Sequence, residues 1–172
     1  MQALISIGSN LGESIEHCKR ALRLLECKVV SASSLYRTSP VETFENQSPY
    51  FNVSAIVDTP ESPQDFLKHL QGIEDLFGRT RPHYHAERTM DIDIVSIDGI
   101  VMNTEELVLP HPRSSMRLFV LIPTFEIAPR LAVELASLEA ANFLRVLNLG
   151  ETLVAEVGGE TQEIMRITDP LL

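Results

Sequence analysis

The sequence predicts an α+β fold: an antiparallel sheet of the ferredoxin-like, split βαβ plan, with helices on one face and further helices in the C-terminal part. Two observations carry this prediction. Segments with strand-like alternation and segments with helical spacing follow one another in the order β-α-β-β-α-β up to residue 95. The length of 172 residues and a hydrophobic content of 44% suit one domain with a sizeable core. In such a sheet, the face opposite the two helices is free for a functional site.

The first half of the pattern begins with an apolar strand and a turn between two glycines. Gly8 and Gly12 enclose this turn together with Asn10, and both residue types permit the positive φ of a tight turn. The turn lacks the Gly-Lys-Ser/Thr end of a phosphate-binding P-loop. The predicted segments are a strand at residues 3–7, a helix at 13–26, a strand at 28–36, a connection at 37–49 that contains a mobile polar loop at 42–49, and a strand at 50–58.

The second half adds a capped helix and then the strand on which the site prediction rests. Ser62 followed by Pro63 marks a helix start, and Gly78 marks its end. The predicted segments are a helix at 62–77, an Arg- and His-rich loop at 79–87, a strand at 91–95, a hairpin turn at 98–99 leading into a strand at 100–102, a helix from 114 or 115 to before Pro129, a helix at 135–147, and a terminal hairpin of strands at 153–157 and 163–167.

Asp91 and Asp93 alternate with Ile92 and Ile94 on the predicted strand. Because a strand has a period of two, both carboxylates lie on one face and both isoleucines on the other. Two like charges held side by side repel unless water screens them or a cation lies between them. Mg²⁺ favours such hard oxygen ligands together with substrate phosphates. The pattern by itself is also typical of an ordinary strand with an acidic, solvent-exposed face.

The charge distribution limits the classes of partner. A formal net charge of −10 argues against a general nucleic-acid binder, because that role relies on a basic surface. Five of the 14 Lys and Arg residues and three of the five His residues nevertheless lie between positions 79 and 117, around the two aspartates. An acidic protein with one basic cluster beside a carboxylate pair suits a small polyanion bound with a divalent metal.

Targeting segments and cysteines give two further bounds. No apolar run approaches the roughly 18 residues of a membrane span, and residues 1–10 lack the basic start and long apolar core of a signal peptide. We therefore expect no membrane partner and a cytoplasmic location. Cys18 and Cys27 are too few and too close for a disulfide framework or a zinc site, so both are predicted to be packing residues.

Six ordered blocks of the sequence match one pattern, of which R-x-x-D-[LIV]-D-[LIV] is the specific core. The blocks are Gly8-Ser9-Asn10-Leu11-Gly12, Ser34-Leu35-Tyr36-Arg37-Thr38, Tyr50-Phe51-Asn52, Gly78-Arg79, Arg88-Thr89-Met90-Asp91-Ile92-Asp93-Ile94, and Leu109-Pro110-His111-Pro112-Arg113 through Arg117-Leu118-Phe119. Together they resemble the 6-hydroxymethyl-7,8-dihydropterin pyrophosphokinase family. The resemblance covers about residues 1–130. We expect a single domain over 1–172, with a family-atypical tail at 131–172 packed on it.

This resemblance implies an enzyme of folate biosynthesis that transfers the terminal pyrophosphate of ATP to the hydroxymethyl group of the pterin and releases AMP. Its substrates are then ATP and hydroxymethyl-dihydropterin. The resemblance implies two Mg²⁺ ions bound with ATP by Asp91 and Asp93. Arg79 and Arg88 are implied as catalytic residues that reach the phosphates as the site closes. We expect a monomer or a weak homodimer.

The resemblance also implies two sets of binding residues. Tyr50 and Phe119 stack on the two faces of the pterin, and Asn52 hydrogen-bonds its polar edge. Taken singly, Phe119 also suits a core position and Asn52 an exposed edge-strand position. The pterin set is Thr38, Ser39, Val41, Tyr50, Asn52 and Phe119. The ATP set is Gln71 and Glu74 on the surface of their helix, Arg81, Ile94 through its backbone, His111, Arg113 and Arg117.

One stretch departs from the family pattern. Many members have a Trp and a Gly-Pro just before the matching Arg, whereas this chain has His85-Ala86-Glu87 there and no Trp. Either His85 or Tyr84 then forms the lid over the pterin. The departure leaves open a catalytically silent, nucleotide- or pterin-binding regulatory module of the same fold. A metal-dependent phosphohydrolase that uses the same aspartates is a third reading.

Overall fold

The computed structural model of the chain describes residues 1–25, 27–40, 48–78, 89–147, 152–157 and 160–167. The strands in these ranges are β1 (Gln2–Ser9), β2 (Lys28–Ala32), β3 (Leu35–Thr38), β4 (Tyr50–Asp58), β5 (Asp91–Ile97), β6 (Met102–Asn103), β7 (Val108–Leu109), β8 (Leu153–Val157) and β9 (Glu160–Ile167). The helices are α1 (Ser14–Leu24), α2 (Pro63–Leu76), α3 (Leu118–Ile127), α4 (Pro129–Leu135) and α5 (Leu138–Val146). Among the helices of these ranges, none combines the length and the hydropathy that a bilayer-spanning segment needs.

Seven strands of the described chain form one antiparallel sheet in the order β5-β1-β4-β3-β9-β8, with β2 also pairing with β4. Lys28 lies opposite Asp58 and Thr38 lies opposite Tyr50, so β2 and β3 together run the length of β4. The order of β5, β1, β4 and the β2-β3 pair, with α1 and α2 as connecting helices, confirms the predicted ferredoxin-like plan.

The predicted single strand at 28–36 is divided into β2 and β3 at Ser33. The Ser33 N–H donates to the Ser54 carbonyl at 2.9 Å, and the Ser33 hydroxyl accepts the Ser54 N–H at 3.0 Å. The hydroxyl also donates to the Ser34 carbonyl at 2.7 Å. The side chain thus takes the place of one backbone acceptor, and the chain bends without leaving the Ser54 N–H unpaired. Alternation of apolar residues does not reveal such a bend.

Alternating side chains divide the sheet into two faces, as the sequence predicts for β1, β4 and β5. The core toward α1 and α2 contains Ala3, Ile5, Ile7, Val53, Ala55, Val57, Ile92 and Ile94 from the sheet, and Cys18, Leu22, Phe66 and Leu70 from the helices. Cys18 is therefore a packing residue, as predicted. Burial raises the pKa of the Cys18 thiol to about 12.

The opposite face is covered in part by α3, so the prediction that it is free is wrong. One cluster on this face contains Leu4, Val95 and Val120, and a second joins Tyr36, Leu118, Leu121, Ile122, Ala132, Ala140, Leu144, Ala155 and Ile164. Apart from Thr124 and Glu126, helix α3 consists of apolar residues. It therefore has to be buried against α4 and α5 as well as against the sheet.

The C-terminal elements differ from the prediction mainly at their boundaries. Helix α3 begins at Leu118, after a 3₁₀ turn at Ser114–Met116. Pro129 begins α4. The sequence did not predict this helix, because the proline was interpreted only as the end of the preceding helix. Proline suits the first helical position, where its missing N–H is not needed. The predicted terminal hairpin is present as β8 and β9, and β9 joins the main sheet beside β3.

Glu126 of α3 joins three elements in one hydrogen-bond network. Its carboxylate accepts the Ser34 N–H at 2.9 Å, the Ser34 hydroxyl at 2.8 Å and the Tyr36 hydroxyl at 2.9 Å. Arg166 of β9 forms an ion pair with Glu126 at 2.6 Å, and its Nε donates to Ser34 Oγ at 2.9 Å. Burial and the Glu126 carboxylate raise the pKa of Tyr36 well above its usual value, so its hydroxyl remains a donor. The network fastens α3 and β9 to the connection between β2 and β3.

Glu126→Ala is expected to lower the free energy of unfolding by about 2–3 kcal/mol, because it leaves the Tyr36 hydroxyl and the Ser34 N–H without their acceptor. Urea unfolding followed by circular dichroism measures this loss. Glu134→Ala, at an exposed position of α4, is the control and should stay within about 0.5 kcal/mol of the parent. Equal losses in the two variants would contradict a structural role for the network.

Candidate active site

The register of β1, β4 and β5 brings predicted site residues into rows across the sheet. Gly8 lies opposite Asp91 on one side and opposite Asn52 on the other, and Ser6 lies opposite Asp93. Residues directly opposite each other point to the same face of a sheet. The two aspartates and Asn52 therefore share one face with two small residues between their strands. This is the face that α3 covers in part.

Gly8 leaves room for the amide of Asn52. A Cβ atom at position 8 would lie 2.8 Å from Asn52 Oδ1, which is closer than real Cβ contacts. Asn52 and Thr38 are each 3% exposed, and Asn52 Nδ2 donates to Thr38 Oγ1 at 2.9 Å. The exposed edge-strand position considered for Asn52 is therefore wrong. Its amide is held in one orientation at the bottom of the site.

The alternation predicted around Ile92 is observed. Asp91 and Asp93 are half-buried, while Ile92 and Ile94 are buried in the core toward α1 and α2. The Ile94 side chain thus belongs to the core. The expected contact of Ile94 with ATP is through its backbone, and it stays a prediction.

Glu74 of α2 completes the backbone hydrogen bonding of β5. This strand lies at the edge of the described sheet, so one side of its backbone has no neighbouring strand. Glu74 Oε1 accepts the Ile92 N–H at 2.8 Å. Glu74 is 2% exposed, so the expectation that it lies on the surface of its helix is wrong. A carboxylate can be buried there because it takes a backbone donor, and its contact with ATP stays a prediction.

His111 is anchored to β5 through its backbone. Its N–H donates to the carbonyl of Val95 at 2.8 Å, and Val95 is the extra residue of a bulge between β5 and β1. The His111 carbonyl accepts the Ser114 N–H at 3.1 Å and the Ser114 hydroxyl at 2.7 Å. Bulges commonly re-aim chain segments beside active sites. Here the bulge attaches the segment that carries His111, Arg113 and Arg117, which belong to the predicted ATP set.

The His111 side chain lies near both the aspartates and the arginines of the predicted site. Burial lowers its pKa, the carboxylates of Asp93 and Asp91 oppose this, and the guanidinium groups of Arg117 and Arg113 lower it further. With a pKa below its usual value, the imidazole is neutral at pH 7. The Arg113 N–H donates to His111 Nδ1 at 3.3 Å, which assigns the ring proton to Nε2. Nε2–H can therefore donate to a phosphate oxygen.

The remaining ATP-side residues differ in exposure. Arg113 and Gln71 are exposed, and Arg117 is half-buried. The Arg117 guanidinium carbon lies 5.4 Å from the centroid of the Phe119 ring, within cation–π range. Phe119 is half-buried and packs against the cluster of Leu4, Val95 and Val120. Its ring therefore lies at the boundary between core and site, and not wholly in either.

Thr38 and Ser39 are held between two strands. Thr38 lies opposite Tyr50 of β4 and opposite Ile164 of β9. The Ser39 N–H donates to the Glu163 carbonyl at 2.9 Å, and the Glu163 N–H donates to Ser39 Oγ at 3.0 Å. Sequence reasoning missed the proximity of β9. Alternation shows that a strand is half-buried but does not show which strand it joins.

Several predicted residues lie outside the part of the chain that the structure describes. They are Val41, Arg79, Arg81, Arg88 and the lid candidates Tyr84 and His85. Their roles stay predictions. The described residues alone bring together Asp91, Asp93, His111, Asn52 and Thr38 from four separate segments.

The donor chemistry fits Mg²⁺ better than a metal held by protein alone. Asp91 and Asp93 present carboxylate oxygens on one half-exposed face, beside Gly8 and Ser6. Within the described ranges, no three side chains of the His, Cys, Asp and Glu types converge to hold a metal. Mg²⁺ is commonly held by one or two carboxylates, with waters and substrate phosphates as its other ligands. The pair therefore suits a cation that binds together with a polyphosphate.

Residues 4–129 match the family model described as 7,8-dihydro-6-hydroxymethylpterin-pyrophosphokinase (HPPK). The 2-amino-4-hydroxy-6-hydroxymethyldihydropteridine pyrophosphokinase of Bacillus subtilis is 37% identical over 141 residues, which cover 80% of this chain and 84% of that protein. The protein of the same name from Haemophilus influenzae is 36% identical over 135 residues, covering 76% and 84%. The folic acid synthesis protein FOL1 of Dictyostelium discoideum is 35% identical over 127 residues, covering 73% of this chain and 19% of that protein.

Solved structures share the fold. A Plasmodium falciparum HPPK-DHPS triple mutant matches 74% of this chain with a TM-score of 0.60 and 16% identity, and the match spans 40% of that longer chain. The wild-type HPPK-DHPS of the same organism matches 73% of this chain with a TM-score of 0.55, again at 16% identity and over 40% of its length. At this identity the likeness supports the fold alone.

Gly8→Ala is expected to lower the free energy of unfolding by about 1–3 kcal/mol, because the added methyl group overlaps Asn52 Oδ1. Gly72→Ala is the matched control: position 72 lies in α2 with open space around it, so the same change should stabilise by about 0.5–1 kcal/mol. Urea unfolding of both variants gives the comparison. Stabilisation by Gly8→Ala would show that Asn52 does not occupy this position.

Proposed function

We propose, from the premise that this chain belongs to the 7,8-dihydro-6-hydroxymethylpterin-pyrophosphokinase family, that the row of Asp91, Gly8 and Asn52 is the centre of its active site. The chain is a pyrophosphokinase of folate biosynthesis, and its substrates are ATP and the hydroxymethyl pterin. The observation that carries the proposal is the strand register. It puts the carboxylate pair and the buried amide on one face, separated only by β1.

The reaction requires little covalent chemistry from the protein. The hydroxymethyl oxygen of the pterin forms a bond to the β-phosphorus of ATP, and the bond from that phosphorus to the oxygen bridging to the α-phosphorus breaks. AMP leaves with that oxygen and its electron pair, and the hydroxyl proton is released. Catalysis of such a transfer rests mainly on positioning and on neutralising phosphate charge. The described side chains suit both tasks.

Asp91 and Asp93 would hold the metal in this proposal. The enzyme uses Mg-ATP, and the notion of two Mg²⁺ ions rests on the family resemblance. When bound, magnesium neutralises phosphate charge and makes the phosphorus a better electrophile. Pairing with β1 holds the strand that carries the two carboxylates, and Glu74 accepts the Ile92 N–H on the outer side of that strand.

The phosphates and the nucleotide would be held from the His111 side of the site. Neutral His111 donates Nε2–H to a phosphate oxygen, and Arg117 supplies positive charge from its half-buried position. Arg79 and Arg88 are proposed to close on the phosphates as catalytic residues. The remaining proposed contacts to ATP are Gln71, Glu74, Arg81, the Ile94 backbone and Arg113.

The pterin would occupy the Asn52 side of the site. Asn52 cannot reorient freely because Thr38 accepts from its Nδ2 and Gly8 lies against its Oδ1, so it is organised in advance to recognise a planar ring edge. Phe119 and Tyr50 are proposed to stack on the ring faces. Ser39 and Val41 complete the proposed lining.

Other expectations about the whole chain stay predictions. They are a single domain over 1–172 with the tail at 131–172 packed on it, a monomeric or weakly dimeric state, and a cytoplasmic location. The pairing of β9 with β3 supports packing of the tail on the same domain.

Asp93→Asn is expected to lower the rate of AMP formation by at least about a hundredfold while the protein stays folded, because it removes a metal-binding charge but keeps the shape of the side chain. The assay mixes ATP, magnesium and the hydroxymethyl pterin, and separates AMP from ADP by chromatography. Asp98→Asn, at an exposed turn position, is the control and should keep the parent rate. Chelation of magnesium should abolish AMP formation in all variants.

Each alternative function has its own outcome in this assay. Binding of ATP by the parent without AMP formation would indicate a silent regulatory module. Phosphate release that does not need the pterin would indicate a phosphohydrolase. Production of ADP, or full activity of Asp93→Asn, would contradict the proposed role of the aspartates.

Phe119→Ala is expected to raise the Kd for the pterin by about 10- to 100-fold, because it removes one stacking surface. The measurement is calorimetry with magnesium and α,β-methylene ATP, whose carbon bridge replaces the bond that breaks. Leu138→Ala, a truncation at an exposed position of α5, should leave the Kd unchanged. An unchanged Kd in Phe119→Ala would remove Phe119 from the pterin site.

A further inference from the structure

Gln162 of β9 is a buried polar residue whose side chain is used entirely by one short segment. It is 4% exposed. Its Oε1 accepts the Leu118 N–H at 3.0 Å, and its Nε2 donates to the Met116 carbonyl at 3.3 Å. Both ends of one amide therefore fix the backbone of residues 116–118. The contact links positions 44 and 46 residues apart in sequence.

The hydrogen bond to Leu118 takes the place of a helix cap. The N–H groups in the first turn of a helix have no partner within the helix. Leu118 is the first residue of α3, and the residue before it, Arg117, provides no side-chain cap. Gln162 supplies the missing acceptor from another element, so the start of α3 depends on where β9 lies.

The segment that Gln162 fixes carries two proposed substrate contacts. Arg117 and Phe119 flank Leu118, and the Arg117 guanidinium lies over the Phe119 ring. The next residue of β9, Glu163, forms two hydrogen bonds with Ser39, which is also proposed to line the pterin site. Neighbouring residues of one strand thus contact two segments that carry proposed pterin residues.

We propose that Gln162 is a positioning residue of the pterin site, which holds residues 116–118 so that the Phe119 ring lies at stacking distance from the pterin. This rests on the proposed role of Phe119. A shift of the backbone passes directly to the short, stiff Phe119 side chain, whereas the long Arg117 side chain can compensate for it. Loss of Gln162 should therefore affect the pterin more than ATP.

A second residue of β9, Arg166, attaches the β8–β9 hairpin to the rest of the protein. Arg166, four residues later on β9 and on the same face, is bound to Ser34 and to Glu126 near the C-terminal end of α3. Arg166→Met removes this anchor, while the backbone pairing of β9 with β3 and both hydrogen bonds of Gln162 involve no atom of the Arg166 side chain. It is the matched control for a variant at Gln162.

The experiment compares Gln162→Met, which keeps the length of the side chain without its hydrogen bonds, with Arg166→Met. Calorimetry with magnesium and α,β-methylene ATP measures the Kd for the pterin, and steady-state assays measure KM for each substrate and kcat. We expect Gln162→Met to raise the pterin Kd and KM by about tenfold and to change the KM for ATP by less than about threefold. Arg166→Met should lower stability but leave the pterin Kd within about twofold.

Gln162→Glu is the partial rescue. It keeps an acceptor for the Leu118 N–H and loses the donor to Met116, so its pterin Kd should lie between those of the parent and Gln162→Met. It also serves as the test if Gln162→Met does not fold. A parent-like pterin Kd in the Gln162 variants, or equal losses in Gln162→Met and Arg166→Met, would overturn the proposal.

The two proposals fail in different ways. If Phe119→Ala leaves the pterin Kd unchanged, the proposed pterin site is wrong, and the role of Gln162 falls with it. If Phe119→Ala weakens pterin binding while Gln162→Met does not, only the positioning role is wrong.

Discussion

The antiparallel pairing of β5 with β1, completed on the outer side of β5 by the hydrogen bond from the Ile92 N–H to Glu74, is the constraint on which the site depends. β5 lies at the edge of the described sheet, where a backbone N–H has no neighbouring strand to pair with. Asp91 and Asp93 flank Ile92, and the pairing of β5 with β1 puts both of their side chains on one face. A shift of β5 by one residue would turn both carboxylates to the other face, away from Asn52.

The Asn52 side of the site lies on the sheet face that α3 covers in part. A largely apolar α3 covers part of that face, and the two small residues of β1, Ser6 and Gly8, lie between the aspartates and Asn52. Strand β1 thus contributes the small side chains that separate the aspartates of β5 from Asn52 of β4. A larger residue at position 8 would fill the gap that Asn52 occupies.

Local patterns in the sequence predicted what depends on local spacing. Period and capping predicted the alternation around Ile92, the start of α2 at Ser62 and Pro63, and the order of strands and helices up to residue 95 except for the division of the strand at 28–36. The spacing of apolar residues along the sequence does not show which residue pairs with a buried polar group. Glu74 therefore looked like a surface residue, and Gln162 carried no signal at all, since each is buried by a contact to a distant segment.

Buried polar groups are costly unless each has a partner, and at three positions around the site the partner comes from another helix or strand. Asn52 of β4 is held by Thr38 of β3, Leu118 of α3 by Gln162 of β9, and Ile92 of β5 by Glu74 of α2. Pairs of this kind are satisfied only when the strands and helices are in register. The part of the site that these pairs build therefore forms only in the completed fold. Its geometry is set before substrate binds, which reduces the ordering that binding requires there.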